Sequence, residues 1–93
     1  MVELIQIKKL GEESFRLSAI YINPQHIVSL SEDGMYRDYL TEGKIKIGLN
    51  KATVFTKVKL HEGDKTSDVV VVGEPNEIQS KLFKSKARML LRD

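Results

Sequence analysis

The sequence predicts an α+β fold: a small twisted antiparallel sheet, or partly open barrel, of about five strands with one C-terminal helix. Three observations lead there. Several short segments alternate apolar and polar residues with period two. Gly, Asn, Asp and Pro punctuate them at short intervals. The stretch after Pro75 carries a long run of apolar residues at helical spacing. The 93 residues form a single expected domain, 1–93. A chain of this size buries about two-thirds of its unfolded surface, enough for one modest core without a staple.

Val2 to Leu10 is rich in apolar residues and stops at Gly11, so it reads as the first strand. Gly11-Glu12-Glu13-Ser14 is a turn. Phe15, Leu17, Ala19 and Tyr21 then alternate with Arg16 and Ser18, the pattern of a half-buried strand. Asn23-Pro24 ends it, because proline cannot donate to a ladder and restricts the residue before it. Ile27, Val28 and Leu30 make a third strand, stopped by the turn signal Asp33-Gly34. Met35 to Leu40 fits a short helix or an irregular strand equally well.

Ile45, Ile47 and Leu49 alternate with Lys44, Lys46 and Gly48. Beyond a loop at 50–53, Val54, Thr56, Val58 and Leu60 alternate with Phe55, Lys57 and Lys59. The two runs predict a hairpin, followed by a polar loop from His61 to Asp68. Val69-Val70-Val71-Val72 is apolar on both faces, as a central strand covered on both sides would be. Pro75 suits a first helical position and Glu77 the positive helix end, so a helix over about 75–91 is expected. Its apolar stripe is Ile78, Leu82, Phe83, Met89 and Leu90. Ile47, Val58, Val70 or Val71, and Leu82 are expected to meet in the core.

Two stretches, Ile22-Asn23-Pro24-Gln25-His26-Ile27-Val28-Ser29-Leu30 and Val71-Val72-Gly73-Glu74-Pro75-Asn76-Glu77-Ile78, resemble the FlbD family of small flagellar-locus proteins. In that family an Asn-containing segment leads into an isoleucine-rich strand, and a last strand runs into a helix opened by an acidic cap. The resemblance implies a small β domain with one helix and carries over no functional residue. This chain is longer, with extra residues over Gly34 to Glu42 and a more basic final helix.

Composition narrows the chemistry. With no cysteine, the chain has no disulfide framework, Cys-based zinc site or thiol nucleophile. A net charge of +2 is too small for a general polyanion binder. Met1-Val2-Glu3-Leu4 lacks the features of a secretory signal, and the longest apolar run is far short of the ~20 residues that span a bilayer. A cytoplasmic protein with no membrane partner is expected. His26 and His61 each sit in an expected turn, without a third ligand or orienting partner at recognisable spacing. No serine lies in a Gly-x-Ser-x-Gly elbow, and the glycines are too scattered to cradle a phosphate. Neither catalytic nor metal residues are expected, nor a cofactor, and the protein reads as a non-enzyme.

The lysines of the expected hairpin carry the one binding signal. If Leu49 faces Val54, then Ile47 faces Thr56 and Ile45 faces Val58. On the other side Lys46 meets Lys57, Lys44 meets Lys59, and Gly48 meets Phe55. Like charges directly opposed cost a few tenths of a kcal/mol per pair, and an anionic partner relieves that. Phe55 would then stack on a base, as in single-strand binders. The plainer reading has these lysines as solvated edge-strand residues, with acids of the 61–68 loop folded over them and Phe55 covering Gly48. Lys81, Lys84, Arg88 and Arg92 line one face of the last helix and share the ambiguity. From Lys81 to Asp93 there are five basic residues against one acid.

Two functions are therefore expected. The first is a protein-interaction or regulatory module, acting on a protein partner or on a second copy through an edge strand or the helix. The alternative is a nucleic-acid binder using Lys44, Lys46, Phe55, Lys57, Lys59, Lys81, Lys84, Arg88 and Arg92. Low net charge and the absence of a nucleic-acid signature favour the first.

Overall fold

The computed structural model describes the backbone of residues 1–91 and every side chain in that range except those of 83 and 85–91. Five strands form one open antiparallel sheet: β1 (Val2–Lys9), β2 (Phe15–Ile22), β3 (Ile27–Glu32), β4 (Phe55–Glu62) and β5 (Lys65–Val72). Their order is β2-β1-β5-β4-β3. Neighbours in the sheet are thus neighbours in sequence, except that the first strand also pairs with the last. β2 and β3 are the two edges of the sheet, and a 3-10 turn at Pro24–His26 lies between them in the chain. Among the described residues two helices, α1 (Gly34–Thr41) and α2 (Pro75–Leu91), cover opposite faces. The expectation of one helix is therefore corrected to two.

The sheet has a core on each side because side chains alternate along every strand. Leu4, Ile22, Val58, Leu60 and Val71 pack under Ile78 and Leu82 of α2. Ile7, Phe55, Phe15, Leu17, Val70 and Val72 lie on the other face, under Tyr36 and Leu40 of α1 and Ile45. β5 is the middle strand, and its valines divide between the two cores, as expected of a strand apolar on both sides. The remaining apolar positions expected on α2, Phe83, Met89 and Leu90, lie outside the described side chains.

The ambiguous segment is a helix because both of its ends are capped. The Asp33 carboxylate, buried at 3% exposure, accepts a hydrogen bond of 2.8 Å from the Tyr36 N–H. At the other end Gly43, with φ +78°, donates to the Leu40 carbonyl while the Lys44 N–H reaches the Tyr39 carbonyl, a Schellman termination. α2 begins as expected, with Pro75 at its first position and Glu77 in the first turn. Gly73, at φ +127°, turns β5 into α2, and the buried Thr56 hydroxyl donates to its carbonyl at 2.8 Å.

The expected hairpin of residues 45–49 with 54–60 does not form. β4 is already paired on both edges, with β3 and with β5, so it has no free edge for a third strand. Residues 42–54 instead run as irregular chain across the α1 face, turning at Gly48 (φ +73°) and again where the Asn50 side chain accepts from the Ala52 N–H. Ile45 is buried there, but Ile47, expected in the core, is 40% exposed. The expected 61–68 loop shrinks to a two-residue turn at Gly63-Asp64, since Glu62 pairs with Lys65. Gly63, at φ +63°, supplies the positive φ that a tight hairpin needs at its first central position.

Candidate interaction surface

The hairpin lysines expected to form one face are divided. Lys44 and Lys46 sit in the irregular 42–54 segment. The Lys44 Nζ lies 3.0 Å from Glu42 Oε2, and that of Lys46 lies 3.8 Å from Glu13 Oε2. The Lys44 ammonium also stands 5.6 Å from the centre of the Tyr39 ring, which Lys9 approaches at 4.8 Å. Its hydrogen bond to Glu42, reinforced by that carboxylate's charge, raises the Lys44 pKa above the ordinary 10.5. Lys57 is exposed opposite Ser31 and Val70, and Lys59 is half-buried opposite Ser29 and Asp68. Lys44–Lys59 and Lys46–Lys57 are therefore not strand pairs. Lys81 and Lys84 are exposed on α2, across the sheet from Lys57 and Lys59. Arg88, as a side chain, and Arg92 altogether lie outside the described residues.

Phe55 is the clearest correction. It is fully buried, its ring 6.1 Å from that of Tyr36, and Tyr36 in turn meets Phe15 and Tyr39. A ring held there cannot stack on a base. It shares a face with Lys57 and Lys59, as the alternation required, but α1 covers its end of that face.

What the fold exposes is a sheet edge. Among the described residues β2 has one strand neighbour, β1, and all eight of its residues pair in unbroken register from Lys9–Phe15 to Val2–Ile22. The Leu10 N–H donates to the Ser14 carbonyl at 2.7 Å, so Leu10–Ser14 is a hydrogen-bonded pair. In an antiparallel ladder such pairs alternate. Arg16, Ser18, Ile20 and Ile22 therefore bond to β1. Phe15, Leu17, Ala19 and Tyr21 direct their N–H and C=O groups outward, along the open edge.

On the α1 side of the sheet, the apolar side chains beside that edge are covered at one end of β2 and bare at the other. Phe15 and Leu17 pack under α1, but the helix does not reach the far end of the strand. There Tyr21 is 61% exposed, Ile5 is 40% exposed, and Ala19 across from Ile5 is exposed too. The expectation that Ala19 and Tyr21 are half-buried is corrected accordingly. The Tyr21 hydroxyl donates to Glu3 Oε2 at 2.8 Å, and this bond, with the carboxylate's charge, raises its pKa above 10.0. The other edge is guarded. β3 is shorter, shifts register between Ile27 and Ser29, and packs against α2.

Two shallower features complete the surface. His26 and His61, far apart in sequence, both line a cleft of about 250 Å³ floored by Ile20, Ile22 and Leu60. No group of three or more His, Cys, Asp or Glu among the described residues is placed to hold a metal ion. Lys8 and Arg16 stand directly opposite each other across β1 and β2, a like-charge pair that sequence reasoning did not single out. No helix among the described residues is long and apolar enough to cross a membrane. Compared with family models, with curated proteins and with solved structures, the chain gives no match.

Proposed function

We propose that this chain is a small non-enzymatic interaction module that takes up an extended segment of a protein partner along β2. The observation that supports the reading is the open edge, where Phe15, Leu17, Ala19 and Tyr21 offer unpaired backbone groups beside the exposed Ile5 and Tyr21. Main-chain hydrogen bonds along such an edge supply affinity, and pockets for alternate side chains supply selectivity. A peptide-display selection tests it, with Ala19→Pro as the counter-selecting protein. Proline removes one outward N–H and none that bonds to β1, so the fold is retained. Extended peptides with alternating apolar residues should bind the native protein and not the variant. Peptides that bind both equally would remove β2 as the surface.

A nucleic-acid reading keeps one supporting observation, the exposed and directly opposed Lys8 and Arg16. Fluorescence anisotropy with labelled oligonucleotides decides it. Two phosphate contacts give a slope of log affinity against log salt of about −1.4 to −1.8, lost when both residues become alanine. No binding at ~100 μM protein, the weak end of ordinary non-specific affinity, retires it.

A further inference from the structure

Building on the strand-addition reading, we infer that the segment that occupies the β2 edge is β2 of a second copy of this chain, antiparallel about a two-fold axis through Ser18. The register follows from the outward groups. Only odd-numbered residues of β2 face out, so odd must pair with odd, and a two-fold axis normal to the sheet keeps both α1 helices on one side. With the axis at Ser18, Phe15 meets Tyr21 of the second copy, Leu17 meets its Ala19, and each outward group on both strands finds a partner.

The side chains agree with that register. Exposed Tyr21 and Ile5 lie at the end of β2 that α1 leaves bare, while Phe15, packed edge-on to Tyr36 and 5.6 Å from Tyr39, lies at the covered end. Antiparallel pairing brings the bare end of each copy against the aromatic end of the other. The aromatic pair of Phe15 with Tyr21 is a favourable cross-strand combination, and Ala19 leaves room for Leu17 opposite it. β2 contains no proline, glycine or acid, and its one charge, Arg16, falls opposite Ile20 of the second copy. The two Arg16 side chains then stand four residues, about 13 Å, apart along the strands, beyond the ~8 Å screening length at physiological salt. The result is a continuous ten-stranded sheet, twice the five of one copy, whose outer edges are the bulged β3 strands.

Sedimentation equilibrium on the full chain, from ~1 μM to ~1 mM, provides the test. The native protein should reach twice the chain mass of 10.6 kDa. Ala19→Pro and, separately, Ala19→Lys should sediment at the single-chain mass with an unchanged circular dichroism spectrum. Lysine at that position keeps the backbone donor and places a charge in the seam, so it carries the test should the proline variant fail to fold. A native protein that stays monomeric throughout, or a dimer that survives the lysine substitution, overturns the inference. A monomer that still binds extended peptides along β2 would remove only the second copy as occupant and leave the strand-addition reading intact.

Discussion

Replacing Phe55 by alanine separates the two roles its sequence position suggests. The ring is fully buried between the α1 face of the sheet and Tyr36, and the backbone beside it is engaged as well, since the Asp33 N–H donates to the Phe55 carbonyl at 2.9 Å. Truncating a phenylalanine in such a site removes its transfer free energy and leaves a cavity, together about 3–5 kcal/mol. A domain of this length holds only about 5–14 kcal/mol in total, so the variant should lose a large share of its stability. For urea, with a slope of roughly 1–2 kcal/mol per molar, the midpoint should fall by about 1.5–5 M. Phe55→Leu keeps most of the buried area and should cost only about 1–1.5 kcal/mol. Equilibrium urea unfolding followed by circular dichroism measures both. A Phe55→Ala protein that loses less than about 1 kcal/mol would place the ring at the surface and refute the α1-side core.

Two further outcomes test smaller parts of the structure. Asp33→Ala should cost about 2 kcal/mol, because it removes the α1 cap and leaves the Tyr36 N–H without its acceptor in a buried site, whereas Asp33→Asn should cost far less. Urea midpoints for the pair would contradict the capped helix if the alanine variant matched the native protein. Glu3→Gln should lower the pH at which Tyr21 ionises toward 10.0, as read from phenolate absorbance. A folded-state pKa raised in this way contributes stability that is present below the unfolded value and is lost as pH rises through the folded one. The native protein should accordingly lose, above pH 10, a small increment that Glu3→Gln never had. An unchanged Tyr21 titration would disprove the Glu3 contact.

Local signals explain which elements were legible from sequence. The first hairpin is bounded by Gly11 and Ser14, the helix start at Pro75 needs only its own residues, and the four-valine run has one sensible home in the middle of a sheet. The tight β4–β5 turn and the ambiguous α1 segment also had local signals. Gly63-Asp64 is a two-residue hairpin dipeptide, and Asp33 with Gly43 brackets α1 at the two positions where helices are capped. The 45–49 segment was different in kind. Its alternation is real, and an unpaired partner strand would have accepted it.

The sequence by itself determined a small two-faced β domain with a terminal helix, because period-two alternation and turn residues act within a few residues of chain. Only the tertiary structure decided which strands share edges, since edge pairing is a competition that distant segments win or lose. β4 gave both edges to β3 and β5, and that outcome buried Phe55, separated the lysines and turned 42–54 into a cover for the second core. The same competition left β2 with a free edge. Whether a strand is last in its sheet is a property of the whole fold, and no residue within Phe15–Ile22 encodes it.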